Sequence, residues 1–214
     1  MKEPRFIVVE GPVGAGKTGL ARRLAAHLHA EPVLEPLGTN PFLERLVEDP
    51  AGARFPTQLF FLLQRAKHYA ALRQPDLFDE TRISNFMIER DPLFARIFLD
   101  EAELDLYEQV YALLALDAPK PDLVIYLQAS PQRLLDRIRA RNRPHERPLD
   151  RERLRQVVDA YAGYFLDYQA APLLIVNVER LDPAERDEDF RLLLPHILEP
   201  QGGRRFFNPE PMPW

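Results

Sequence analysis

The 214-residue chain contains no cysteine. That excludes disulfides, thiolate-held zinc, iron–sulfur clusters and cysteine nucleophiles, and it fits a cytoplasmic protein without redox chemistry. Lysine is nearly absent as well, with four residues at positions 2, 17, 67 and 120 against 24 arginines. No apolar run approaches the ~20 residues of a membrane span, and the run of four in MKEPRFIVVEGP is shorter than a secretion-signal core. No membrane partner is therefore expected. A surplus of positive charge is also missing: the net charge is −5 and the isoelectric point about 5.6. A protein that coats a nucleic-acid polymer would show a broad basic face instead. With no repeat, low-complexity block or flexible linker in view, residues 1–200 read as a single domain and 201–214 as a C-terminal tail.

What the chain does have is 46% apolar residues, enough for an ordinary core. Proline reaches 21 residues and is spread along the chain, about twice the usual ~5%. Arginine in place of lysine fits either a GC-rich or a heat-adapted source. Five short aliphatic runs alternate with helical patterns: Phe6–Glu10, Pro32–Glu35, Arg82–Phe86, Leu123–Leu127 and Leu173–Val178. Helical periodicity covers roughly 17–29, 41–48, 56–73, 92–116, 131–141, 150–169 and 184–197. Alternating strands and helices predict an α/β fold with a five-stranded parallel sheet flanked by helices. Ligands of such sheets bind beyond the carboxyl ends of the strands, so the residues after Glu10, Glu35, Phe86 and Leu127 deserve the closest reading.

Immediately after the first run comes GPVGAGKT, Gly11 to Thr18, which matches the G-x-x-x-x-G-K-[ST] phosphate loop and leads into a helical pattern. Gly11, Gly14 and Gly16, with Ala15 between the last two, let backbone N–H groups close around phosphate oxygens. The following helix start adds positive potential, Lys17 reaches the outer phosphates, and Thr18 offers a hydroxyl to Mg²⁺. A nucleoside triphosphate site follows. Motor and switch NTPases generally add a metal-binding acid after a further hydrophobic strand, but LVIYLQAS ends without one. This favours a small-molecule kinase.

Between Arg133 and Arg155 lie nine arginines against four acids. Arg133, Arg137 and Arg141 recur at helical spacing, with Arg139 and Arg143 beside them and no acid between 137 and 145. A solvated helix would normally intersperse acids at i+4. Crowded guanidinium groups point to an anion, and an arginine-rich lid over a transferring phosphoryl group would supply one.

GPVGAGKT, the pair Glu35-Pro36, FPTQLFFLLQR, KPDLVIYLQAS and RIRARNRPHE, in that order, resemble the deoxynucleoside kinase family within the P-loop kinase superfamily, over about residues 5 to 198. The resemblance implies ATP and Mg²⁺ as donor and metal, a deoxynucleoside as the small-molecule partner, and a homodimer built on the helices 56–73 and 92–116. It implies that Glu35 accepts the proton of the nucleoside 5′-hydroxyl, which suits a carboxylate at a strand end facing the loop. Gln58 would pair with the base edge, Arg65 lies two turns further along the same helix, and Phe94 would stack on the base. Phe60, Phe61 and Leu63 read as core. In the lid, Arg137, Arg141 and Arg143 would clamp phosphates while Glu146 would contact the sugar 3′-hydroxyl. Asp189 and Phe190 would lie against the adenine of ATP.

Two departures from the family stand out. The acid expected at the end of the third strand is Asn85 in one register of RISNFMIERDPLFA and Glu89 in another; Asn85 is favoured, with Arg90 reaching the phosphates. The tyrosine that often joins the 3′-hydroxyl contact has Leu46 or Val47 near its place. The leading expectation is phosphorylation of a deoxynucleoside, with a purine slightly preferred. A nucleoside monophosphate kinase and a non-catalytic P-loop regulator remain alternatives.

Overall fold

A computed structural model describes residues 4–72, 81–114, 119–199 and 202–209. At its centre is a parallel sheet in the order β2-β3-β1-β4-β5-β6, comprising β1 (Phe6–Glu10), β2 (Glu31–Val33), β3 (Arg82–Ser84), β4 (Leu123–Gln128), β5 (Leu173–Asn177) and β6 (Arg204–Phe207). The sheet has six strands where five were expected. The sixth comes from the segment read as a tail, where the charged start of RRFF after Gly-Gly conceals a strand that only its pairing with β5 reveals. Charged side chains suit an edge position. Arg204 also donates to the Phe165 carbonyl at 2.9 Å, at the end of a helix whose last carbonyls attract cations. Trp214 lies outside the described residues.

The unbroken apolar strands are buried on both faces, as their pattern predicts. In β4, Leu123, Ile125 and Leu127 enter one core while Val124 and Tyr126 enter the other. The first core is closed by α1 (Lys17–Leu28), α6 (Pro131–Arg141) and α8 (Asp187–Leu198). The second is closed by α7 (Arg151–Leu166), whose Tyr161 and Phe165 stack with Tyr126. A third cluster joins α3 (Pro50–Leu72), α4 (Asp91–Phe98) and α5 (Glu101–Leu113) through Leu62, Tyr69, Ala95 and Tyr107.

The helical pattern at 92–116 is divided between α4 and α5. Asp100 is extended and accepts from the Glu103 N–H at 2.9 Å, while Glu103 accepts from the Asp100 N–H. This reciprocal capping box starts a new helix where periodicity alone continues the old one. Between β2 and α3 the one α-helix is the short α2 (Arg45–Glu48), preceded by a single 3-10 turn at Leu37–Thr39, and the stretch 34–44 contributes Glu35, Leu37 and Leu43 to a cavity wall.

Candidate functional site

Gly11 and Gly14 show why the loop after β1 requires glycine. Their φ values are +147° and +90°, and a Cβ on Gly11 would lie 2.6 Å from the Leu127 carbonyl oxygen. The loop is thus pressed against β4 and α6, and any side chain would push it off. Lys17 Nζ donates to the carbonyls of Gly11 at 2.6 Å and Pro12 at 3.0 Å. Burial, reinforced by the neighbouring Arg90 charge, lowers the Lys17 pKa to about 8.

Beyond the carboxyl ends of β1 and β3 opens a cavity of about 420 Å³. The loop enters it with Gly14, Gly16, Lys17 and Thr18; the segment after β2 supplies Glu35, and α3 supplies Gln58, Phe61 and Arg65. Asn85, Arg90 and Phe94 close one wall, and Arg141, Arg143 and Glu146 reach in from the lid. Leu46 also lines it, whereas Val47 is exposed.

Glu35 sits between two cations. Arg65 pairs with its Oε1, and Arg90 Nη2 approaches its Oε2 at 3.1 Å. Burial pushes the Glu35 carboxyl up, but Arg65, Arg90 and Lys17 together outweigh it and hold the pKa below the ordinary glutamate value. Arg65 is also committed to Asp91 and is only 6% exposed, so both of its terminal nitrogens are engaged by acids. Arg90 runs on to a deeper acid, with its Nε 3.4 Å from Glu10. Glu10, Asp91 and Tyr161 are members of this cluster that sequence reasoning missed. Glu10 carried a readable signal, a lone acid closing the apolar run FIVVE.

Asn85, not Glu89, stands at the end of β3 beside the phosphate loop. Its Nδ2 donates to Thr18 Oγ1 and its Oδ1 accepts from the Glu35 N–H, each at 2.8 Å. Glu89 is exposed in the turn 88–90 and does not line the cavity.

The lid divides. Arg141 forms a two-pronged pair with Glu146, at 2.6 and 3.0 Å, and the exposed Arg143 stands 4.0 Å from the same acid. Arg137 instead turns behind the loop, donating to the Leu181 and Ala15 carbonyls and pairing with Asp182. It is absent from the cavity wall. Asp189 and Phe190 do not reach the wall either. Asp189 accepts from the Asp182 N–H at 2.7 Å, and Phe190 is core with Arg23 4.5 Å above its ring. The cavity is bordered there by Ala184 and Glu185, in a loop that Asp189 fastens from behind and that has no sequence signature.

The deoxynucleoside kinase model matches residues 7–197, nearly the whole chain. The chain belongs to the deoxynucleoside kinase family. Deoxyguanosine kinase of Bacillus subtilis is 31% identical over 210 residues, covering 93% of this chain and 99% of its own length. Deoxyadenosine kinase of Lactobacillus acidophilus is 28% identical over 192 residues, covering 83% and 87%. Among solved structures, deoxyadenosine kinase from M. mycoides with bound dCTP matches with a TM-score of 0.72 at 25% identity, covering 90% of this chain and 98% of its own. In this kinase, then, the phosphate loop, Glu35, Gln58 and the lid pair Arg141–Glu146 face one cavity, as a phosphoryl donor and a nucleoside acceptor require.

Proposed function

We propose that the protein transfers the γ-phosphoryl group of ATP to the 5′-hydroxyl of a deoxynucleoside, with purine deoxynucleosides preferred. The observation that carries this reading is Glu35, an ionised carboxylate facing the same cavity as Lys17 and Gln58. Glu35 takes the 5′-hydroxyl proton as the oxygen attacks the γ-phosphorus and the bond to the β-phosphate oxygen breaks, releasing ADP and the nucleoside monophosphate. Each Glu35 oxygen holds one guanidinium, leaving lone pairs for the hydroxyl. Lys17, Arg141 and Arg143 supply positive charge to the phosphates, and Gln58 reads the base edge.

The donors around the loop suit magnesium. Thr18 offers a hydroxyl, Glu35 stands nearby, and Mg²⁺ commonly completes its shell with phosphate oxygens and water, while Asn85 turns its amide nitrogen to Thr18 and its oxygen to the Glu35 N–H. When bound with ATP, the ion neutralises phosphate charge. The purine preference draws on the deoxyguanosine and deoxyadenosine kinases among the relatives. Pairing of two copies through α3 and α5 draws on the family and on the exposed Leu63, Leu106 and Leu113. Among the described residues no helix is long and apolar enough to cross a membrane; with no cysteine in the chain, a cytoplasmic site of action is the reading adopted.

Purified protein with ATP, Mg²⁺ and a panel of nucleosides and monophosphates, read by ADP release, tests this. Turnover with deoxyguanosine or deoxyadenosine is expected. Turnover with a monophosphate and with no nucleoside would replace the reading by a monophosphate kinase.

A further inference from the structure

Glu10 has no exposed surface, yet it is an acid at the end of β1, directly before the phosphate loop. A buried carboxylate persists only where its oxygens are partnered. Glu10 Oε1 accepts from the Met87 N–H at 2.7 Å and lies 3.4 Å from Arg90 Nε. Oε2 accepts from the Gly11 N–H at 3.0 Å and from the Tyr161 hydroxyl at 2.9 Å. The hydrogen-bond donors come from the phosphate loop, the segment after β3 and the helix α7, and Arg90 adds an ion pair. Tyr161 closes the circle by accepting from Arg90 Nη1 at 3.3 Å. Burial and the Glu10 charge push its phenol well above the ordinary value, so it remains a donor to Glu10.

We propose that Glu10 is a positioning residue for phosphoryl transfer: it fixes Arg90, and through Arg90 it fixes the Glu35 carboxylate. This inference rests on the reading of Glu35 as the base. Arg90 spans the two acids, with Nε toward Glu10 and Nη2 on Glu35, and it is only 5% exposed. The inner cluster balances Lys17, Arg65 and Arg90 against Glu10, Glu35 and Asp91. Removing the Glu10 charge leaves three cations to two acids and frees the Nε side of Arg90. Glu10 does not line the cavity, so its effect on substrate must pass through a neighbour. Its contact with Gly11 offers a rival route through the ATP loop, and the two routes separate kinetically.

The test is a double-mutant cycle on kcat and KM with Glu10→Gln and Arg90→Gln. Alone, E10Q is expected to lower kcat about 10- to 100-fold while KM for ATP stays within about threefold; in the R90Q background the same change costs about twofold or less. Equal losses in both backgrounds, an unchanged kcat, or a raised KM for ATP with kcat preserved would each overturn the proposal. Should E10Q not fold, Tyr161→Phe replaces it, with a kcat loss expected only where Arg90 is present and an equal loss in both backgrounds overturning it. Absence of deoxynucleoside turnover by the unmutated protein would remove the functional reading instead. The link to Arg90 is then decided by hydrogen exchange at Arg90 Nη2, the nitrogen that donates to Glu35 at 3.1 Å, followed by ¹⁵N NMR. Exchange about tenfold or more faster in E10Q (or Y161F) than in the unmutated protein is expected, and an equal rate refutes the link.

Discussion

The Asn85 amide donates to the Thr18 hydroxyl at 2.8 Å, so a neutral side chain stands beside the hydroxyl proposed to hold magnesium, where the resemblance implies an acid. The same amide holds the backbone of Glu35 through its oxygen. Asn85→Asp keeps an acceptor for the Glu35 N–H, lets Thr18 become the donor, and adds a charged oxygen next to the metal position. The Mg²⁺ concentration for half-maximal turnover is expected to fall about tenfold. A magnesium titration at saturating ATP checks this, and an unchanged midpoint would mean Asn85 stands apart from the ion.

Glu35 is held below the ordinary glutamate pKa despite its burial. Its ionised form is therefore complete at neutral pH, and the stability it contributes is lost only as pH falls through its lowered value. The acidic limb of kcat/KM is expected below pH ~4.3, the value of a free glutamate. Glu35→Gln should cost about 10²-fold or more in kcat with ATP affinity near normal. An acidic limb near pH 6 would assign the limb to a different group.

Lys17 moves in the opposite sense, down to about 8. Between that value and the ordinary lysine pKa of 10.5 the folded protein binds fewer protons at this site than the unfolded chain, so its contribution makes stability rise with pH through that window. Phosphate beside the amine reverses the effect locally by favouring the ammonium form. ATP binding near pH 8.5 should take up a fraction of a proton, and ATP affinity should decline above that pH. Calorimetry in two buffers of different ionisation enthalpy measures the uptake; a buffer-independent heat would contradict it.

Arg65 joins Glu35 to Asp91, both buried. Arg65→Gln leaves these acids facing each other without their shared cation. Breaking a buried pair in this way costs about 3–5 kcal/mol. Chemical denaturation should show this loss, largest at neutral pH and smaller in acid, where the carboxylates protonate. A shift of under about 1 kcal/mol would show that water replaces the guanidinium.

The two lid arginines should part company under mutation. Arg141 faces the cavity and pairs with the buried Glu146, so R141A is expected to lower kcat about tenfold or more and to lower the thermal midpoint as well, with KM for ATP less affected. Arg137 braces the Ala15 and Leu181 carbonyls, so R137A is expected to lower the thermal midpoint and raise KM for ATP. Equal kcat losses would place both side chains on the phosphates.

The parallel sheet and the phosphate loop were readable because each depends on neighbouring residues: an apolar run, three glycines and a lysine at fixed spacing. Glu35 and Gln58 were recovered through resemblance, and both line the cavity. Arg137, Asp189 and Phe190 were less legible, because helical spacing shows which residues share a face but not which partner that face meets. Arg137 meets Asp182, far along the chain, and turns from the cavity to the loop behind it. Glu10 was visible as a letter but not as a partner: three of the groups around it, Met87, Arg90 and Tyr161, arrive from segments more than seventy residues away. The sixth strand failed for the same reason, since an edge strand of four residues is defined by the neighbour it pairs with.

That sixth strand has a consequence for handling the protein. β6 shields β5, whose LLIVN would otherwise present an open, apolar rim able to recruit strands from other molecules. The cavity opens beyond the carboxyl ends of β1 and β3, and no residue of β6 lines it. Shortening the chain before Arg204 would thus be felt first as clumping in concentrated solution, while each molecule still dispersed retained its chemistry.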